Sequence, residues 1–247
     1  MAPVDPSAQG ADQVARVTPR SLVLIGGGEH AGVVFEAIRT MTDAPDVIGF
    51  TDLDPAAFIR AWPDGTHLGD DEAGLQRILD LPPDERPALI LAIGGAADPT
   101  IRRGATEAIE RHSPGLEWAV VTHASAWVSP TAVVGAGTVV LAGAVVNAGA
   151  RIGRQSIVNS RAVVEHDVRI GDFGHIGPGA VIGGGATLGS DVTVGMGALV
   201  RDHVVVGDGT TVGMGAVVLG DVEGGTTVVG SPARATTAST AAAGTSA

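Results

Sequence analysis

The stretch Val181-Ile182-Gly183-Gly184-Gly185-Ala186-Thr187-Leu188-Gly189-Ser190-Asp191-Val192-Thr193-Val194-Gly195-Met196-Gly197-Ala198 holds three six-residue units of one design. An aliphatic residue (Ile182, Leu188, Val194) is followed four places later by a small or β-branched one (Ala186, Val192, Ala198). Working outward, the aliphatic position recurs without a slip from Val128 to Val218, sixteen units in all. A helix demands a period of 3.6 and a plain strand a period of 2. A period of six suits a coil with three short flat faces per 18-residue turn. Each inward aliphatic residue then stacks on the one 18 later, with backbone hydrogen bonds between coils about 4.8 Å apart. Gly directly follows the aliphatic residue in nine of the sixteen units, Gly171 and Gly189 among them. The corners need either positive φ or close backbone approach, and Gly meets both demands.

Composition agrees with such a narrow prism. Of 247 residues, 37 are Gly and only 3% are aromatic, and just one of the seven rings, Phe173, falls within the repeat. The absence of Cys excludes a disulfide scaffold, a thiol nucleophile and Cys-ligated zinc. A net charge of −12 argues against a general nucleic-acid binder. Mean hydropathy is +0.30, yet Gly and charged residues interrupt every apolar run well short of a span. Residues 1–20 show no apolar signal-peptide core, so a soluble, cytoplasmic protein is expected.

The first half reads differently. Residues 1–20 are polar and Pro-containing and are expected to be disordered. Strands are predicted at Ser21–Ile25, Asp46–Phe50, Ala88–Ile93 and Trp118–Val121, and helices around His30–Thr40, Asp71–Leu81 and Pro99–His112. Alternating strands and helices imply a parallel α/β sheet. Residues 21–122 form a small Rossmann-like unit, residues 123–234 the coil, and residues 235–247 a low-complexity tail expected to be disordered. The acid excess belongs to the first half: residues 1–127 hold 19 acids and 9 Arg, residues 128–247 only 8 and 6.

Two places can carry chemistry. Where other corners have Gly, Ala or Ser, one has Glu165-His166-Asp167. An outward imidazole between carboxylates is oriented and made more basic, as a general base requires. His175, nine residues on, falls half a coil away, on another edge of the same protomer. It approaches His166 of a neighbouring protomer if coils associate side by side. His203, beside Asp202 in a similar corner, reads as structural or exposed. The three His show no close pair, and no metal centre is expected. With no Gly-x-Ser-x-Gly elbow and no His-Glu-x-x-His, direct transfer from a bound donor is simpler than a covalent acyl-enzyme. The second place is the turn Gly26-Gly27-Gly28-Glu29-His30-Ala31, which follows a strand and opens a helix as a phosphate-binding G-x-G-x-x-A must. Asp52, at the next strand end, is placed for a ribose hydroxyl. The turn would also suit NAD, but the small sheet favours one nucleotide phosphate group over a full dinucleotide; the bland alternative is a tight Gly turn without a ligand.

Together with Ile170-Gly171-Asp172-Phe173-x-His175 and the closing Gly230-Ser231-Pro232-Ala233-Arg234, these motifs resemble one family over residues 21–234. It is the bacterial hexapeptide-repeat sugar acyltransferases, which include sialic-acid O-acetyltransferases and UDP-4-amino-sugar N-acetyltransferases. The resemblance implies a left-handed parallel β-helix and a homotrimer with active sites between protomers. It implies His166 as general base, with Asp167, or failing that Glu165, raising its basicity. An acyl-CoA site maps to His175, Met196 and Met214, and a nucleotide-sugar site to Gly28, Glu29, His30, Asp52, Leu53 and Gly94. The implied activity is acetyl-CoA-dependent N-acetylation of a nucleotide-linked amino sugar, a 4-amino sugar by analogy, without a metal. The alternatives are O-acetylation of a sugar hydroxyl and a non-catalytic trimeric binding scaffold.

Overall fold

The computed structural model describes residues 19–54, 56–57, 60–94 and 99–236. Residues 1–18 and 237–247 of the two segments expected to be disordered lie outside the described residues. The α/β unit contains β1 (Ser21–Ile25), α1 (Glu29–Thr40), β2 (Asp46–Thr51), α2 (Asp71–Leu79), β3 (Ala88–Leu91) and α3 (Pro99–His112). Its sheet is parallel with order β2-β1-β3. Buried Leu22, Leu24 and Ile90 pack against α1 through Val34 and Ile38, while Val23, Ile25 and Leu89 pack against Leu75, Ile78 and Ile109. Continuous apolar strands of this kind belong to sheets covered on both faces.

The hexads form a parallel β-helix. Two-residue strands stack into three sheets, each rung pairing with the one 18 residues later, as in Val164 with Ile182 and Ile182 with Val200. The first face runs from Val121–Thr122 to Thr227–Val229, the second from Trp127–Val128 to Val217–Val218, and the third from Val133–Val134 to Val205–Val206. The inward Val, Ile, Leu and Ala residues form one buried column along the axis. At about 1.5–3 kcal/mol per fully buried aliphatic side chain, this column is the main stabiliser of a chain with few rings.

Two expectations change in detail. Val121–Thr122 is the first rung of the coil, paired with Val139–Val140, and Trp118 forms a single bridge to Leu89 of β3 rather than a strand. The ladder therefore begins one rung before the hexad series, because the inward position of that rung, paired with Val140, is Thr122, which an aliphatic pattern passes over. The Gly that follows each aliphatic residue serves close approach. A Cβ on Gly171 would stand 2.5 Å from the Ser190 backbone nitrogen in the next coil. Positive φ falls later in the corner, and not always on Gly: Asp167 (59°) holds the position that Gly149 and Gly185 occupy in adjacent coils.

The first face carries the α/β unit. Val139, Leu141 and Ile157 share a buried cluster with Leu22, Val34 and Ile38. Helix α3 is clamped to the coil. Arg103 makes a two-pronged pair with Asp191 (2.7 and 3.1 Å) and lies 4.3 Å from the Phe173 ring centre. Arg154 of the coil pairs with Glu110, which also accepts from the Trp118 indole. Among the described residues no helix is long and apolar enough to cross a membrane.

Candidate active site

His166 stands at the corner between the second and third faces, with 61% of its side chain exposed. Its Nδ1 lies 3.0 Å from Asp167 Oδ2. The shorter carboxylate thus reaches the ring, because the left-handed backbone at Asp167 turns it back along the corner. Glu165 instead accepts from Asn147 Nδ2 at 2.9 Å, one coil below. The Asp167 hydrogen bond, aided by the charges of Asp167 and Glu165, raises the His166 pKa against the opposing effect of desolvation. With Nδ1 facing a carboxylate, Nε2 is the free basic nitrogen. It lies over a bare rung, Gly183-Gly184-Gly185: a Cβ on Gly184 would be 2.6 Å from it. His203 sits on this same edge, two coils above, leaning over Gly185.

The glycine turn lines a cleft of about 310 Å³ at the C-terminal ends of the three strands. Gly28, Glu29, His30, Asp52, Leu53 and Gly94 all line it, joined by Gly26, Asp71, Ala92 and Ile93. This is the crevice that open parallel sheets use for ligands. Asp52 does structural duty here: Oδ2 accepts from the Gly27 amide (2.7 Å) and Oδ1 from that of Asp54 (2.9 Å). Gly27 is required, since a Cβ would strike the Phe50 ring at 2.8 Å. Sequence reasoning missed Asp71, which opens α2 and accepts from Thr51 Oγ1 at 2.5 Å. It read as an ordinary acid in the first helical turn.

His175 departs from expectation. It occupies a strand of the first face and points away from the axis, with only 7% exposure. It lies beneath the α/β unit rather than on an open edge, because α1 and α3 cover this face. Burial, then Arg102 and His30, lower its pKa to about 4. His30 falls to about 4 through burial and then Arg102. Met196 and Met214 are 54% and 72% exposed at the corner between the first and second faces. Within one protomer, therefore, His166 stands on one edge, the methionines on another, and the cleft beyond the first face. No group of three His, Asp or Glu among the described residues is placed to hold a metal.

Comparisons with known proteins follow this geometry. The family of bacterial transferase hexapeptide (six repeats) matches residues 185–220. Among curated proteins, none matches the sequence significantly. Among solved structures, a histidine-to-asparagine mutant of perosamine N-acetyltransferase from Caulobacter crescentus, in complex with CoA and GDP-perosamine, is 33% identical. It covers 88% of this chain and 97% of its own, with a TM-score of 0.79. The acetyltransferase domain of PglB from Neisseria gonorrhoeae, in complex with acetyl coenzyme A, is 34% identical over 88% of this chain and 99% of its own, with a TM-score of 0.77. WeeI from Acinetobacter baumannii, 22% identical over 87% of this chain and 99% of its own with a TM-score of 0.65, shares the fold. The architecture is a left-handed parallel β-helix preceded by a small Rossmann-like unit, and the chain belongs to the hexapeptide-repeat sugar acetyltransferases, an acyltransferase by family.

Proposed function

We propose that this protein transfers the acetyl group of acetyl-CoA to the amino group of a nucleotide-linked 4-amino sugar, in a homotrimer with each site between two protomers. The observation that carries this reading is the free Nε2 of His166, oriented by Asp167 over a bare glycine rung. The solved relatives crystallised with CoA and GDP-perosamine and with acetyl coenzyme A support the substrate pair.

The apolar surface left uncovered supports the trimer. Along the second face, Trp127 and Leu199 are exposed, and Val145, Val163, Val181 and Val217 are half-buried. Packing three second faces about one axis covers this stripe. It also brings the His166 edge of one copy against the methionine edge of the next, beside that copy's cleft. The acceptor amine then attacks the thioester carbonyl carbon while His166 Nε2 takes an N–H proton. The Gly184 amide, which donates to no backbone acceptor among the described residues, is placed to stabilise the oxyanion. As the C–S bond breaks, the imidazolium returns the proton to sulfur, so amine and thioester become amide and thiol without net proton change.

The test is release of free CoA from acetyl-CoA across a panel of nucleotide-linked amino sugars, free amino sugars and hydroxyl acceptors. Activity restricted to a nucleotide-linked 4-amino sugar is expected, and His166→Ala should lower kcat by about 10²–10⁴-fold. Release with hydroxyl acceptors alone overturns N-acetylation in favour of O-acetylation.

A further inference from the structure

The edge that carries His166 lies opposite the seam between the α/β unit and the coil, and it holds a second imidazole that the proposed mechanism leaves unused. Its corners read, from one coil to the next, Asn147-Ala148-Gly149, Glu165-His166-Asp167, Gly183-Gly184-Gly185 and Arg201-Asp202-His203. Gly183-Gly184-Gly185 is the one corner of the repeat built of three glycines. Its direct neighbours are the two corners that carry imidazoles. The Gly185 amide donates to the His166 carbonyl at 2.9 Å, and the His203 amide donates to the Gly184 carbonyl at 3.0 Å. The bare rung is therefore flanked by one imidazole on each side.

Both rings turn into the space over that rung. A Cβ on Gly184 would stand 2.6 Å from His166 Nε2, and a Cβ on Gly185 would stand 2.5 Å from His203 Nδ1 and 2.6 Å from its Cε1. Gly184 and Gly185 are consecutive, with Cα atoms about 3.8 Å apart. The base and the second imidazole thus occupy neighbouring side-chain places, one reached from below and the other from above. His203 holds φ at 57°, in the left-handed region that Gly149 and Gly185 take at the same place in other coils. A side chain there carries a steric cost that glycine avoids. The ring is exposed, and it has no hydrogen-bond or ion-pair partner among the described residues. A neutral imidazole offers one donor and one acceptor, a combination that a sugar hydroxyl matches.

We propose that His203 binds the acceptor, hydrogen-bonding a hydroxyl of the sugar whose amine His166 deprotonates. An amine in hydrogen-bond reach of His166 Nε2 carries its sugar ring along the rung Gly184-Gly185, which His203 borders. The thioester approaches from the methionine edge of the next copy in the proposed trimer, so the side held by His203 falls to the acceptor. The corners around the slot carry Glu165, Asp167 and Asp202 against Arg201. That balance suits an uncharged hydroxyl better than an anionic diphosphate. The inference rests on the proposed amino-sugar acceptor and on the role given to His166.

The test uses the full chain in acetyl-transfer kinetics, with the nucleotide-linked amino sugar that it turns over and with analogues of that sugar lacking one hydroxyl each. His203→Gly suits the left-handed corner and should fold with an unchanged Tm. It should raise KM for the amino sugar by about 3–10-fold, the loss of one hydrogen bond, with KM for acetyl-CoA within about twofold. His203→Asn tolerates the same backbone and keeps a donor and an acceptor, so it should restore part of the loss. One deoxy analogue should be poorer than its parent by the same factor with the wild type and no poorer with His203→Gly, a coupling that a merely structural role would not produce. An unchanged sugar KM in folded His203→Gly, equal rises in both KM values, or a deoxy penalty undiminished in that variant overturns the inference. If the variant does not fold, a wild type that discriminates against none of the deoxy analogues overturns it. Full activity in His166→Ala with a raised sugar KM in His203→Gly overturns the proposed base and leaves His203 in its role. A wild type that acetylates hydroxyl acceptors alone overturns N-acetylation, and the same KM comparison on that acceptor then decides His203.

Discussion

Mild acid should loosen this fold in a window set by two buried rings. His30 and His175 each titrate at about 4 in the folded chain against an ordinary 6.5, chiefly because burial disfavours the charged form. The unfolded chain therefore binds more protons than the folded one between these values. Stability is full above pH 6.5 and is lost as pH falls toward 4. At pH 5 an imidazole of ordinary pKa is almost wholly protonated and one at about 4 is roughly one-tenth protonated. Integrating from pH 7.5 to pH 5 gives about 2 kcal/mol per ring, and about 4 kcal/mol for the two. His166, whose pKa is raised, acts in the opposite sense and is exposed. The assay is urea unfolding followed by far-UV circular dichroism at pH 7.5, 6.5, 5.5 and 5.0, with the His30→Gln/His175→Gln double variant beside the wild type. The wild type should lose stability steeply across the series, and the double variant should start lower and run nearly flat. A flat wild-type profile, or an undiminished slope in the double variant, would refute the assignment of neutral buried imidazoles at the seam.

Other outcomes follow from single contacts. Asp167→Asn removes the largest cause of the raised His166 pKa, so the acid limb of kcat/KM should move to lower pH while kcat falls; an unmoved limb in a pH–rate profile would show that Asp167 does not set the base. Gly184→Ala places a Cβ 2.6 Å from His166 Nε2 and should cost about 10²-fold in turnover by displacing the ring, with an unchanged Tm; full activity would remove Nε2 from the reacting position. Gly171→Ala meets backbone at 2.5 Å in the next coil, where nothing rotates away, and should destabilise by about 2 kcal/mol or more in denaturant titration. Ile182→Ala, in the buried column, should cost about 2–5 kcal/mol by the same measurement.

Much of this was legible because it is local or periodic. A residue type repeated every six positions states its own coil, and Ile182 or Val200 needs no distant partner to declare which way it points. The charged corner at His166 stood out for the same reason, as a break in a regular pattern. The glycine turn was legible from its strand-to-helix setting, and the residues that the family resemblance pointed to, Leu53 and Gly94 included, line one cleft. His175 was misplaced because its burial depends on α1 and α3, which lie far from it in sequence. Arg102 was invisible: in a helical stretch an Arg reads as solvent-facing, and its carbonyl acceptor is 53 residues away.

The sequence by itself determined the coil, its three faces, the α/β unit before it and the outlying His166 corner, because each is written in short-range order. Only the tertiary structure decided which carboxylate holds His166, since the left-handed turn at Asp167 is a property of backbone geometry. It alone decided that the α/β unit sits on the first face, burying His175 and Arg102. Those contacts join residues whose separation along the chain follows no period, and packing brings them together where pattern cannot.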